Sequence, residues 1–228
     1  MDLEIIDAMI DIKNVTKSFK GAAILKDITM GVERGSICGL IGHNGSGKTV
    51  LMKVICGFIT PDTGCVRVNG KHIGKDCDFP ESVGVIIENP GFAQYMSGKK
   101  NLKNLASIRK EIDEKRIDEV MQLVGLQAND KKWVSKYSLG MRQRLGIAQA
   151  IMENPELLIF DEPMNGLDQQ GIEDMRKLFL DLKNQGKTIL LASHNKEDIE
   201  ILCDKVFEMN SGILTNGAVP KNLASSSS

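Results

Sequence analysis

The chain opens on two stretches, residues 9–19 and 24–32, in which apolar and polar residues interleave. Both read as strands, joined by a turn at Lys20-Gly21. Ser36–Ile41 reads as a short buried strand that leads into a Gly-rich loop and then a helix to Cys56. Pro61-Asp62-Thr63-Gly64 is a turn signal, and Cys65–Val68 and Val83–Ile87 are further strands. The second of these runs into Glu88, Asn89 and Pro90, and Pro90 ends it. From about Ser97 to Met152 the period becomes helical: Ile117, Val120, Met121 and Val124 fall at i, i+3, i+4 and i+7 on one face. Strands return at Leu157–Phe160 and Thr188–Ala192, separated by a helix over about 169–185. A helix over Lys196–Cys203 and a hairpin around Asn210-Ser211-Gly212 follow. The order predicts an α/β core with a helical insertion.

Length changes this picture little, since 228 residues suit one large domain or two small ones. The division expected is a domain over 1–218, with the helical part inserted at about 89–153, and a flexible, Ser-rich tail over 219–228. The 29 basic and 30 acidic residues nearly cancel, so charge makes no case for nucleic acid as a partner. Cys38, Cys56, Cys65, Cys77 and Cys203 are odd in number and form no C-x-x-C, which argues against a disulfide framework or a zinc site and fits a reducing cytosol. The acidic N-terminus, M-D-L-E-I-I-D, is unlike a secretory signal. No apolar run approaches the ~20 residues that span a bilayer, so any membrane work needs spans from another chain.

Candidate chemistry begins at residues 42–49, G-H-N-G-S-G-K-T, a match to the G-x-x-x-x-G-K-[ST] phosphate loop between a strand and a helix. Gly42, Gly45 and Gly47 let the backbone curl so that N–H groups point at phosphate oxygens. The start of the helix adds favourable potential for an anion. Lys48 suits the β/γ-phosphates and the Thr49 hydroxyl suits Mg²⁺. His43, Asn44, Ser46 and Val50 complete the nucleotide-binding stretch, with His43 at a variable position. A second signal is L-L-I-F-D-E at 157–162, a buried strand that ends on two acids. Ligands of open α/β sheets bind at that strand edge. Asp161 is placed to hold Mg²⁺ and Glu162 to orient or deprotonate an attacking water.

Residues 137–144, Y-S-L-G-M-R-Q-R, read in isolation as a helix capped by Ser138. Together with the phosphate loop they carry a family resemblance. The chain resembles the ATP-binding subunit of an ABC transporter from about residue 9 to 215. It looks most like the bacitracin-resistance and lantibiotic-immunity exporter group. Residues 42–49 look like Walker A, 157–162 like Walker B, and Ser138, Leu139, Gly140 and Met141 like the signature. Leu139 and Met141 depart from the commoner L-S-G-G-Q, so Leu139 is expected to point away from ATP. Asp168, in Asn165-Gly166-Leu167-Asp168, looks like the D-loop, His194 like the switch histidine, and Phe19 like the aromatic that stacks on adenine.

The resemblance implies a P-loop NTPase fold with a RecA-like core, an antiparallel β subdomain and an inserted α-helical subdomain. It implies ATP and Mg²⁺ as ligands, with Lys48, Glu162 and His194 catalytic. A second ATP-binding domain would cap the nucleotide with its Ser138 and Gly140. A separate transmembrane permease would place the protein on the cytoplasmic face of the membrane, with no nucleic acid partner. By position Glu88 stands where the family commonly has Gln, near the γ-phosphate and Mg²⁺. An ionised Glu only accepts hydrogen bonds, so it should engage strongly only when Mg²⁺ faces it. Two alternatives stay open here: a non-transport ABC ATPase, and an ATP-gated regulatory module without turnover. Asn195-Lys196-Glu197-Asp198 also spells the N-K-x-D of guanine-binding GTPases, but reads better as a helix start capped by Asn195.

Overall fold

The computed structural model describes residues 8–88 and 90–217; the expected tail at 219–228 lies outside them. Two sheets form. The first is antiparallel, in the order β2-β1-β4-β5, from β1 (Ala8–Phe19), β2 (Ala22–Glu33), β4 (Thr63–Val68) and β5 (Lys71–His72). The second has the order β10-β9-β3-β8-β7-β6. Its members are β3 (Ile37–Ile41), β6 (Val83–Ile86), β7 (Leu157–Asp161), β8 (Thr188–Ala192), β9 (Lys205–Asn210) and β10 (Ile213–Asn216). All its pairings are parallel except that of β10, which returns along β9 through the expected hairpin.

Parallel strands need both faces covered, which explains their continuous apolar runs. Alternate residues of β7 and β8 feed two cores. Leu158, Phe160, Ile189 and Leu191 join one, and Leu157, Ile159, Leu190 and Ala192 join the other. The second core is shared with Ile10, Ile12 and Val15 of the antiparallel sheet and with Leu51, Met52 and Ile55 of α1 (Lys48–Ile55), which packs between the sheets. The first core receives the helical block, α2 (Gly98–Arg109), α3 (Glu114–Leu123) and α4 (Leu139–Ile151), and also α5 (Gln169–Asn184). The expected face of Ile117, Val120, Met121 and Val124 is buried in it. Phe160 and Phe179 stack there with ring centroids 4.9 Å apart. The last helix is α6 (Lys196–Leu202).

Two of the boundaries that differ from the reading of the sequence bear on the site. β6 stops at Ile86, whose partner on β7 is Phe160, because the chain turns out of the sheet and Glu88 adopts φ 60°. β7 continues through Asp161, which pairs with Ala192, so this acid belongs to the strand itself. The two-residue β5 carries no apolar pattern to read.

Candidate functional site

Because β3, β8, β7 and β6 lie side by side and run parallel, their C-terminal ends share one sheet edge. That edge collects the phosphate loop after β3, His194 after β8, Asp161 and Glu162 at the end of β7, and Glu88 after β6. Residues far apart in the chain are thereby brought together. Phe19, Ile24, Lys48, Thr49, Glu88, Asp161 and Glu162 line an open cleft of about 790 Å³, and His194 reaches it through its contact with Glu162.

The loop backbone requires its glycines. A Cβ on Gly42 (φ 150°) would sit 2.2 Å from the Met209 carbonyl oxygen, and one on Gly47 (φ 114°) 3.0 Å from that of Ile24. The Lys48 ammonium donates to the carbonyls of Gly42 at 2.7 Å and His43 at 3.2 Å, so it lies folded over the loop where phosphate oxygens would otherwise take those bonds. The Ser46 hydroxyl is buried with no hydrogen-bond partner. An orphaned polar atom in a Gly-lined cradle at a helix start fits a phosphate. The His43 ring turns aside, to the Asn44 carbonyl (2.8 Å) and the Asn210 side chain (3.3 Å), as suits a variable position.

The Thr49 hydroxyl donates to Asp161 Oδ2 at 2.6 Å, which sets two hard oxygen donors side by side. Among the described residues no cluster of three or more His, Cys, Asp or Glu side chains forms a metal cage. Mg²⁺ characteristically takes one or two protein oxygens and completes its shell with phosphates and water, so the pair fits that ion. Glu162 has φ 52°, and its Oε2 lies 2.8 Å from His194 Nδ1. Its backbone is held by the Ala192 carbonyl at 3.0 Å and by Gln143 Nε2 at 3.4 Å.

Glu88 Oε1 pairs with Lys53 Nζ at 2.7 Å, an ammonium one turn along α1 from Thr49. Phe19 stands at the end of β1 at the cleft rim, 43% exposed, with the Lys17 ammonium 5.4 Å from its ring centre. That leaves a ring available for stacking.

Ser138, Gly140, Met141 and Asp168 gather in a second cleft of about 610 Å³. Ser138 caps α4 by accepting from the Met141 N–H at 3.1 Å, and Asp168 caps α5 by accepting from the Gly171 N–H at 2.9 Å. Leu139 projects to the other side of the helix start from Ser138 and Gly140, lines the cleft of its own chain's phosphate loop, and packs on Gly166. A Cβ on Gly166 would come 2.5 Å from the Leu139 side chain, so the missing side chain makes the room.

The N-K-x-D stretch behaves as a helix start. Asn195 Oδ1 accepts from the Glu197 N–H at 2.9 Å. Asp198 is buried and bonded to Arg176 Nε at 2.8 Å and Nη2 at 2.6 Å, so it has no free edge for a base. Neither Arg176 nor Lys53 is marked by any local motif. Only the i, i+4 spacing from Thr49 hints that Lys53 faces the site.

The comparisons with known proteins agree with this geometry. The family profile described as ABC transporter matches residues 25–165. An uncharacterized ABC transporter ATP-binding protein, YybJ of Bacillus subtilis, is 44% identical over 90% of this chain and 94% of that protein. The bacitracin transport ATP-binding protein BcrA of Enterococcus faecalis is 40% identical over 92% of this chain and 69% of its own length. The lantibiotic transport ATP-binding protein SrtF of Streptococcus pyogenes is 36% identical over 86% of this chain and 84% of its own. Among solved structures, the dimeric post-hydrolysis state of the ATP-binding cassette MJ0796, bound to ADP and Pi, superposes with a TM-score of 0.82 at 20% identity, covering 91% of this chain and 98% of that one. CbiO1 of Clostridium perfringens, part of the transporter complex cbiONQ, gives 0.81 at 26% identity over 95% of this chain and 90% of its own. The chain belongs to the ABC transporter family, as an ATP-binding, ATP-hydrolysing subunit.

Proposed function

We propose that two nucleotide domains of this kind close head to tail on ATP and Mg²⁺, and that hydrolysis at the sheet edge drives a separate permease. The observation that supports this best is the convergence on one cleft of the phosphate loop, the Thr49–Asp161 pair and Glu162, whose carboxylate meets His194. ATP lies with adenine on Phe19 and its phosphates along the backbone N–H groups of residues 42–50. Lys48 exchanges its two carbonyl partners for β/γ-phosphate oxygens. Thr49 and Asp161 would hold Mg²⁺, which would supply charge neutralisation on the phosphates, and Glu88 lines the same cleft. Glu162 accepts the proton of the attacking water as the water oxygen bonds to the γ-phosphorus and the bond to the bridging oxygen breaks. His194 holds Glu162 in place and contacts the γ-phosphate. Ser138 and Gly140 of the second domain cap the same phosphate, with Leu139 turned to its own chain's D-loop and Asp168 fixing that loop's end.

The domain spans 1–218, with the helical block at about 89–153 as the part that meets the permease. A groove of about 370 Å³ between the block and the sheet, bearing Phe58, Leu105 and Ile108, offers apolar surface for that contact. Among the described residues no helix is long and apolar enough to cross a membrane. As a family member the chain would work as a peripheral subunit on the cytoplasmic face, beside spans from another chain. Relatives named for bacitracin and lantibiotic transport support export of antimicrobial peptides or related drugs. The test is sedimentation of Glu162→Gln with ATP and Mg²⁺, alone and with Ser138→Arg added. The first should run as a dimer. The second should bind ATP yet remain a monomer, and a dimer there would remove Ser138 from the interface.

A further inference from the structure

On the reading that Glu88 faces the γ-phosphate and Mg²⁺, we propose that Lys53 is a positioning residue for it. Its ammonium clasps the carboxylate until a divalent cation competes for it. Lys53 follows Thr49 by one helical turn on α1, so both side chains rise on the same stripe. Its Nζ meets Glu88 Oε1 at 2.7 Å across a chain separation of 35 residues. Glu88 has just left β6 with φ 60°, a left-handed backbone state uncommon outside glycine.

The charge arrangement gives the clasp its reason. Glu88, Asp161 and Glu162 line one cleft, and ATP adds further negative charge to it. Lys48, the other ammonium of α1, is turned to the Gly42 and His43 carbonyls, so it does not neutralise Glu88. A Gln in this position would carry no charge and need no counter-ion. The Glu does, and Lys53 supplies it. The strength of the pair is also suited to release. The Glu88 side chain is 63% exposed, and ion pairs so exposed are worth at most about a fivefold change in an equilibrium. A doubly charged cation held between Asp161 and the phosphates can outbid that. Lys53 therefore sets the Mg²⁺ concentration at which Glu88 changes partners.

The experiment is an Mg²⁺ titration of the whole chain with a fluorescent, non-hydrolysable ATP analogue, mant-AMP-PNP, reading half-saturating Mg²⁺ rather than turnover. Lys53→Met should lower that concentration by about two- to fivefold, and Lys53→Arg should restore it. In a Glu88→Gln background Lys53→Met should change nothing. An equal shift in both backgrounds, or none beside an intact Glu88, overturns the clasp. The Glu88→Gln variant alone separates the two levels. If it leaves half-saturating Mg²⁺ unchanged, the reading of Glu88 as a Mg²⁺ contact falls and the clasp with it. If it shifts and Lys53→Met does not, only the clasp falls.

Discussion

Breaking the buried ion pair between α5 and α6 should cost more stability than any surface change in this molecule. Arg176 and Asp198 keep 9% and 3% of their side chains exposed. Two guanidinium nitrogens meet one carboxylate oxygen at 2.8 and 2.6 Å. The other oxygen accepts from the Ser193 hydroxyl at 3.4 Å. Ser193 also accepts from the Asn195 N–H at 3.1 Å, so the network brackets His194. Removing one partner of such a pair leaves an uncompensated buried charge, at about 3–5 kcal/mol. Arg176→Met strands Asp198 with one long hydrogen bond, so it belongs at the upper end. Asp198→Ala leaves the guanidinium Glu197, at 2.9 Å and largely exposed, so it belongs at the lower end. Glu197→Ala removes only that exposed partner and should cost under about 1 kcal/mol. For a chain of this length each kcal/mol moves the midpoint by about 2–4 °C. Arg176→Met should therefore melt at least about 10 °C lower, followed by circular dichroism at constant ionic strength. Replacing both partners, Arg176→Met with Asp198→Leu, should recover much of the loss. An Arg176→Met protein within about 2 °C of the unaltered chain would refute the reasoning.

Gly42→Ala pushes a methyl to 2.2 Å from the Met209 carbonyl oxygen in a backbone state that side chains disfavour. It should lose about 2–4 kcal/mol in urea denaturation and lose ATP binding with it. Burial pushes the Cys38 and Cys56 thiols up to about 12 and also raises Cys203, whereas Cys65 and Cys77 are part-exposed. A thiol reagent at neutral pH should label Cys65 and Cys77 in the native protein and the other three only after unfolding, read by peptide mass. Glu88→Gln should keep most ATPase activity, while Glu88→Ala should lose transport per ATP more than hydrolysis. Both are measured with the permease present, and unchanged transport per ATP in Glu88→Ala would remove the coupling role.

What could be read from the chain was what is local. The phosphate loop is eight contiguous residues whose glycines, lysine and flanking elements each announce their part. The buried strands and the face over Ile117–Val124 follow from short-range period. The edge that unites Glu88, Asp161, Glu162 and His194 was legible only through the rule that parallel sheets bind ligands at their C-terminal ends. What escaped depends on pairing at a distance. Lys53 meets Glu88 across 35 residues and Arg176 meets Asp198 across 22, and in each case the residue type alone suits a solvated surface equally well. The direction of Leu139 depends on the open space over Gly166, a property of that segment rather than of the signature itself.

Hydrolysis of ATP at this edge with Glu162 as the proton acceptor is tested most directly by steady-state ATPase activity of Glu162→Gln beside the unaltered protein, with ATP binding measured on both. A positioned general base contributes about 10²- to 10⁴-fold. Glu162→Gln should lose activity in that range with ATP binding retained. Equal turnover in the two proteins would contradict it.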